Sequence, residues 1–215
     1  MTRPRQLTLL HTSPAHIPVF DALRDESHPG LELRHLVAED LLARARAEGV
    51  DAVADDVRAA VGRAVAEGAG AVLCTCSTIG EVAEASGAAV PVLRVDRPMA
   101  AAAVAAGPRV VVLATVESTL TPTVALVEQE ARRAGRPADV RALLVDGAFA
   151  RFEAGDTDGY ARVVARAADS VTDADSIVLA QASMAPAQHL TTTAVPVLSS
   201  PRPGLAAGAD AVRRG

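Results

Sequence analysis

Residues 71–85 read AVLCTCSTIGEVAEA, and residues 176–190 read SIVLAQASMAPAQHL. Each stretch is a short apolar run that passes through small polar residues into a segment suited to a helix. The likeness continues downstream, where AVPVLRVDRP at 89–98 matches AVPVLSSPRP at 194–203. These paired stretches predict that one strand–turn–helix unit occurs twice in the chain.

The repeat also extends upstream of both stretches. LVAEDLLARARAEG at 36–49 resembles LLVDGAFARFEAGD at 143–156, and LTLLHTSPAH at 7–16 matches VVVLATVEST at 110–119. The whole chain is therefore expected to consist of two similar halves.

Short Val- and Leu-rich runs alternate with longer Ala-, Arg- and Glu-rich segments of helical period. Near-continuous apolar runs are typical of strands buried on both faces of a parallel sheet, and their alternation with helices is typical of α/β proteins. The predicted strands are 7–10, 31–37, 71–73, 90–93, 110–113, 140–145, 176–179 and 195–198.

The repeat and the strand pattern together predict an α/β protein with two pseudo-symmetric parallel-sheet halves. The first α/β half is expected at 1–97 and the second at 98–203, with a C-terminal helix at 204–214 that packs back on the first. Open α/β sheets bind ligands outside the carboxyl ends of their strands. We therefore expect the active site in the cleft between the halves.

The composition of the 215 residues excludes several classes of protein. Half of them are hydrophobic and 22% are charged, which is too apolar for a disordered chain. The net charge of -5 without a basic run argues against nucleic acid as a ligand. No apolar run reaches the roughly 18 residues of a membrane span, and the N-terminus is typical of a first strand rather than a signal peptide.

The chain has two cysteines, Cys74 and Cys76, and they lie within the first repeated stretch. They give no disulfide framework, so a cytoplasmic, reduced protein is expected. Cys76 precedes a helix predicted at Ile79–Ser86, with Ser77 or Thr78 as its cap. The positive end of a helix dipole favours a thiolate, and the N–H groups there suit a carboxylate or an enediolate. Cys74 is interpreted as a buried small hydrophobe.

This arrangement resembles the aspartate/glutamate racemase superfamily, which includes hydantoin racemases, maleate isomerases and arylmalonate decarboxylases. The resemblance covers nearly the whole chain. It rests on the two-half plan, on C-S-T at 76–78 before a helix, and on the strand-end segment LATVEST at 113–119. The superfamily often has C-N-T where this chain has C-S-T, and the Ser77 hydroxyl can still donate a hydrogen bond.

The resemblance implies cofactor-independent chemistry, in which two cysteines, one per half, flank the carbon next to a carboxylate. Cys76 is identified as the catalytic cysteine of the first half. The repeat makes Ala182 the position equivalent to Cys76, and a shift of one residue brings in Gln181 or Ser183. The second thiol is therefore missing. The arylmalonate decarboxylases are similar in having one catalytic thiol, but they keep it in the second half.

The repeat also pairs Thr12 with Thr115 and Ser77 with Ser183 at the strand ends. Thr115 with Ser118 or Thr119 suits a substrate carboxylate by resemblance, and helix capping before Pro122 is the alternative interpretation. The predicted substrate-binding residues are Thr12, Ser13, Ser77, Thr78, Thr115, Ser118, Thr119, Ser183 and Met184.

Histidines offer a further candidate. His11 ends the first predicted strand, where it could orient a carboxylate or relay a proton, and a capping or surface role is equally consistent with its position. His28 and His35 are interpreted as surface or strand residues. No spacing fits a zinc site, and no glycine-rich nucleotide motif occurs, so neither a metal nor a cofactor is expected.

The leading hypothesis is a racemase-like enzyme that uses the Cys76 thiol for proton transfer in racemisation, isomerisation or decarboxylation of a small carboxylate. The alternative is a catalytically degenerate protein that binds a small carboxylate or acts as a regulator. Hydrolysis or lyase chemistry through a nucleophilic thiol is a third possibility. No nucleic acid or membrane partner is expected, and the resemblance implies a homodimer or a higher homo-oligomer.

Overall fold

The computed structural model describes residues 6–214, in which strands and helices alternate. The strands are β1 Gln6–His11, β2 Leu33–Val37, β3 Ala69–Cys74, β4 Val92–Arg94, β5 Arg109–Ala114, β6 Asp139–Leu144, β7 Ser176–Leu179 and β8 Val197–Ser199. The α-helices are α1 Ile17–Ser27, α2 Glu39–Glu48, α3 Ala54–Ala66, α4 Ser77–Glu84, α5 Arg97–Ala106, α6 Glu117–Ala134, α7 Ala148–Glu153, α8 Thr157–Asp169 and α9 Pro201–Arg214. Every predicted strand overlaps one of these strands.

The strands form two four-stranded sheets with the orders β2-β1-β3-β4 and β6-β5-β7-β8. All six strand pairs in them are parallel. The same order occurs in both sheets, as the sequence repeat requires. The predicted α/β class with two parallel sheets is confirmed.

The chain divides into two compact units. The first comprises the chain up to Val95 together with the part from Pro201 onward, and the second is Asp96–Ser200. Helix α9 thus belongs to the first unit, although it follows the second unit in the chain. None of the helices in the described part of the chain has the length and hydropathy that a membrane span needs.

In the first unit, helices cover both faces of the sheet. Alternate residues of a strand point to opposite faces. Leu7 and Leu9 of β1 pack with Phe20 of α1 and Leu205 of α9, whereas Leu10 packs with residues of α2, α3 and α4 on the other face. These strand residues are fully buried, which explains their continuous apolar character.

The second unit repeats this arrangement with other helices. Leu113 of β5 packs with Tyr160 and Val164 of α8, whereas Val112 packs with Met99 of α5 and residues of α6 on the opposite face. The carboxyl ends of the central strands are left for polar residues. Those ends carry the candidate site residues of each unit.

Candidate functional site

Cys76 lies between the end of β3 at Cys74 and the start of α4 at Ser77. It is the N-cap residue of α4, with an extended backbone (φ -107°, ψ 118°), and it is 9% exposed. The expectation that Ser77 or Thr78 caps this helix is wrong, because both lie within its first turn. The helix begins earlier than predicted since the strand ends directly before the C-x-C turn. The thiol therefore stands at the start of the helix itself.

Cys74 is fully buried at the last position of β3. Its thiol donates to the carbonyl oxygen of Cys76 at 3.6 Å, and neither cysteine forms a disulfide. Cys74 belongs to the apolar core between β3 and the helices α2, α3 and α4. Its structural place agrees with the interpretation of a buried small residue.

Thr12 and Ser13 follow β1, the strand that pairs with β3. Thr12 is 6% exposed, whereas Ser13 is half-buried and its hydroxyl accepts a hydrogen bond from the backbone N–H of Ala15 at 3.3 Å. Ser13 thus caps the short 3-10 helix Pro14–His16. The carboxyl ends of neighbouring parallel strands lie at one edge of a sheet, so Thr12 and Cys76 follow adjacent strand ends.

His11 is the last residue of β1, and its side chain is fully buried. Its Nδ1 lies 2.8 Å from the Thr75 hydroxyl, and its Nε2 lies 2.8 Å from His35 Nδ1. His35 Nε2 in turn lies 3.3 Å from the Asp21 carboxylate. A surface role for His11 is therefore wrong, and the histidine belongs to a polar chain beneath the strand ends.

Burial, together with the smaller effects of the neighbouring His35 and His16, lowers the pKa of His11 to about 3. His11 is thus a neutral imidazole at physiological pH. Sequence reasoning missed Thr75, His35 and Asp21 as its partners. Thr75 directly precedes Cys76, and that adjacency was the available signal.

In the second unit, a polar network joins the ends of β5 and β7. The backbone N–H of Thr115 donates to Gln181 Oε1 at 2.7 Å, and the Thr115 hydroxyl lies 2.9 Å from Gln181 Nε2. Tyr160 of α8 places its hydroxyl 3.0 Å from the Ser183 hydroxyl and 3.3 Å from that of Thr115. The structure therefore brings the predicted residues Thr115 and Ser183 together through Tyr160.

Tyr160 and Gln181 were not predicted as site residues. Burial raises the pKa of Tyr160, while the hydrogen bonds from Ser183 and Thr115 act in the opposite direction. The phenol therefore stays protonated and can donate one hydrogen bond within the network. Tyr160 is the single tyrosine of the chain, but nothing in the sequence places it beside a strand end.

Ser118 and Thr119 lie in the first turn of α6, with Thr119 5% exposed and Ser118 half-buried. Pro122 does not open this helix, because α6 begins at Glu117 and has Val116 as its N-cap residue. Capping by residues just before Pro122 is therefore wrong. Met184 is fully buried in the apolar core around α8, which also contains Tyr160.

The strand registers decide which residues of the two units correspond. Cys74 pairs with Arg94 between β3 and β4, and Leu179 pairs with Ser199 between β7 and β8. Arg94 and Ser199 occupy the same place in the repeat AVPVLRVDRP and AVPVLSSPRP. Cys74 therefore corresponds to Leu179.

Two residues further on, Cys76 corresponds to Gln181 and not to Ala182. The backbone agrees, since Gln181 (φ -112°, ψ 141°) precedes the 3-10 helix Ala182–His189 as Cys76 precedes α4. The predicted equivalence of Cys76 with Ala182 is thus wrong by one residue. It follows that Ser183 corresponds to Thr78 rather than to Ser77.

The pairing of Thr12 with Thr115 is confirmed by the register of the central strands. Leu10 pairs with Cys74 in the first sheet, and Leu113 pairs with Leu179 in the second. Thr12 and Thr115 each lie two residues beyond these positions. At the two corresponding positions, the first unit therefore has the thiol of Cys76 and the second has the amide of Gln181.

The two units share one parallel-sheet plan and have polar residues after their central strands, and a thiol caps a helix in the first unit. These features define a class of α/β protein. The family model described as Asp/Glu/Hydantoin racemase matches residues 9–207. The chain belongs to this family. No curated protein matches the chain at a significant level.

Solved structures with the same fold include Picrophilus torridus aspartate racemase, with a TM-score of 0.71 and 13% identity over 97% of this chain and 94% of that one. Bacillus anthracis glutamate racemase RacE1 has a TM-score of 0.69 and 15% identity, over 98% and 82% of the two chains. An arylmalonate decarboxylase variant has a TM-score of 0.63 and 20% identity, over 98% and 94%. At these identities the likeness establishes the fold.

Proposed function

We propose that the chain is an enzyme that moves a proton at the carbon next to a carboxylate or carbonyl group of a small molecule, with Cys76 as its acid–base group and without a cofactor. The observation that carries the proposal is the place of the thiol. Cys76 is the N-cap residue of α4, at the positive end of the helix dipole. Membership of the racemase family supports the same chemistry.

In the proposed step, the Cys76 thiolate takes the proton from the carbon and the bonding electrons pass into an enediolate. The same thiol then returns a proton to carbon. In a decarboxylation, loss of carbon dioxide would form the enediolate, and the thiol would supply the new C–H proton and regain one from water. Donors at the start of α4, including the N–H groups of Ser77 and Thr78, suit the developing negative charge.

The remaining predicted residues are proposed as substrate-binding groups. Thr12 and Ser13 follow β1, which pairs with β3 in the first unit, and Thr115 and Ser183 belong to the polar network of the second. Hydroxyl groups at strand ends can orient a carboxylate by donating hydrogen bonds. The homodimer or higher oligomer implied by the family is part of the same proposal, and light scattering would measure it.

The amide of Gln181 favours a second candidate function. A carboxamide is too weak an acid and too weak a base to act as an acid–base catalyst at neutral pH, so half of a two-thiol site is missing. A protein that binds a small carboxylate without turning it over would have such a site. Calorimetric binding of a carboxylate without exchange of its α-hydrogen would support this function over the enzyme.

A screen for deuterium incorporation in deuterated water tests the proposal. Amino acids, hydantoins and substituted malonates would be the substrates, and Cys76→Ala the variant. Cys74→Ala is the matched control, because it removes the neighbouring buried thiol. We expect Cys76→Ala to lose at least about 100-fold in exchange rate, as for loss of a general acid–base group, and Cys74→Ala to retain it. Full turnover by Cys76→Ala would overturn the assigned role.

A further inference from the structure

A chain of hydrogen-bonding side chains runs from the surface of the first unit to the segment that carries Cys76. Asp21 of α1 has a side chain that is 40% exposed, whereas that of His35 on β2 is 16% exposed. His11 on β1 is fully buried, and Thr75 is 3% exposed. The order Asp21, His35, His11, Thr75 is thus a path from water into the protein.

We propose that the hydrogen bonds of this side-chain series exchange donor and acceptor when His35 is protonated. His11 and His35 are then positioning residues that couple the protonation of His35 to the segment that carries Cys76. The chain contains two imidazoles in series, and each neutral imidazole has one donor nitrogen and one acceptor nitrogen. The direction in one link therefore fixes the direction in the next.

With His35 neutral, the carboxylate of Asp21 accepts and so requires the hydrogen of His35 on Nε2. His35 Nδ1 is then an acceptor, and His11 must donate to it from Nε2. His11 Nδ1 in turn accepts from the hydroxyl of Thr75. Every link is satisfied in this direction.

With a proton added to His35, both of its nitrogens donate. His35 Nδ1–H then donates to His11 Nε2, so His11 carries its hydrogen on Nδ1 and donates to the Thr75 hydroxyl. That hydroxyl has a second partner ready, because it lies 3.2 Å from the carbonyl oxygen of Leu10. The reversed chain is also fully satisfied, and His11 stays neutral in both states.

The inner end of the chain acts on the backbone before Cys76. The Thr75 N–H donates to the Leu10 carbonyl at 3.0 Å, and the Thr75 hydroxyl adds a donation to the same oxygen in the reversed state only. The link between β1 and the turn before Cys76 therefore gains one hydrogen bond when His35 is protonated.

Other ionisable and aromatic side chains lie beside this hydrogen-bonded series. His16 lies beside His11, with ring centroids 6.3 Å apart, and the Phe20 ring packs on His11 at 5.7 Å. Arg24 of α1 pairs with Asp21 at 3.5 Å.

The first test is the tautomer of His11 in the wild-type protein. Long-range proton–nitrogen correlation spectra of histidine-labelled protein report which ring nitrogen carries the hydrogen. We expect His11 to change from the Nε2–H to the Nδ1–H tautomer as His35 gains its proton, without itself becoming charged. A His11 that keeps one tautomer through the titration of His35, or that takes up a proton together with it, would overturn the proposal.

The second test measures the Cys76 thiol directly and needs no substrate, so its outcome is separate from that of the proposed function. Iodoacetamide alkylation would be followed against pH in a Cys74→Ala background. His35→Phe breaks the chain, and His28→Gln changes a histidine outside it. In wild type and His28→Gln, we expect the alkylation rate of Cys76 to change by a step of about two- to fivefold with pH, which is the effect of one net hydrogen bond. We expect no such step in His35→Phe. Identical profiles in both variants would contradict the coupling.

Discussion

At the residue scale, position along the backbone gives each cysteine a different character. Cys74 ends a strand and points into the core, whereas Cys76, two residues later, begins a helix at the carboxyl edge of the sheet. Sequence reasoning separated the two because the apolar run stops between them. It could not find the partners of His11, since Asp21, His35 and Thr75 are brought together by strand pairing and helix packing.

The buried His11 predicts a pH dependence of stability. Its pKa is about 3 in the folded protein and has its ordinary value of 6.5 in the unfolded chain. Between these values only the unfolded chain binds the proton, so the free energy of unfolding falls as pH falls, by about 1.4 kcal/mol per pH unit. The stabilisation is complete above pH 6.5.

Urea unfolding of wild type and His11→Gln between about pH 7.5 and 4.5 measures this contribution. The free energies of unfolding of the two proteins should differ in their pH slope by at most about 1.4 kcal/mol per pH unit. His16, whose pKa is also lowered by burial, contributes in the same direction to both proteins. We therefore expect the free energy of unfolding of His11→Gln to fall less steeply with pH than that of wild type, without becoming independent of pH. Parallel curves for the two proteins would show that His11 takes up its proton equally in both states.

At the element scale, the strands could be predicted and the helix starts could not. Runs rich in Val and Leu marked the strands of the described residues. The runs are nearly continuous in the central strands β1, β3, β5 and β7, because those strands are buried on both faces. The interpretation of capping before Pro122 placed the start of helix α6 near that proline, but the helix begins at Glu117. Pro122 suggested a first turn, yet it lies in the sixth position, where a helix loses one backbone hydrogen bond.

The correspondence of the two units was misassigned by one residue from the sequence. Strand register pairs Cys76 with Gln181 rather than with Ala182. The repeated stretches 71–85 and 176–190, aligned end to end without a gap, give the same pair. Register confirms it because hydrogen bonds between strands fix which residues lie side by side.

Cysteine substitutions distinguish the two pairings. Gln181→Cys returns a thiol to the position that repeats Cys76, and Ala182→Cys is its neighbour-matched control. On the proposed function, we expect Gln181→Cys to gain deuterium incorporation on the second face of the substrate carbon, and Ala182→Cys to gain about tenfold less, because proton transfer depends on reach. The chirality of the recovered product measures this. A larger gain in Ala182→Cys would favour the pairing of Cys76 with Ala182.

At the scale of the whole molecule, helix α9 completes the first unit from the far end of the sequence. Its glycines allow close packing. A Cβ atom on Gly204 would lie 2.4 Å from the carbonyl oxygen of Val95, and one on Gly208 would lie 2.8 Å from Leu7. Apolar content predicted a helix here, but only the structure shows why small residues face the sheet.

Gly204→Ala should therefore destabilise the protein by about 1–3 kcal/mol, because the added methyl group meets backbone that must shift. Gly62→Ala is the matched control. It lies on α3 with nothing within 4 Å of the added atom, so it should stabilise by about 0.5–1 kcal/mol. Urea unfolding at neutral pH measures both changes. Equal effects of the two substitutions would contradict the close packing of α9.

The central claim is that one thiol, Cys76, transfers the proton. The most direct measurement is the stereochemistry of deuterium incorporation in deuterated water, for a substrate identified by the screen, in wild type and Cys76→Ala. We predict one deuterium per turnover on a single face of the carbon in wild type, and incorporation at least about 100-fold slower in Cys76→Ala. Incorporation on both faces in wild type, or incorporation that persists at the wild-type rate in Cys76→Ala, would contradict the claim.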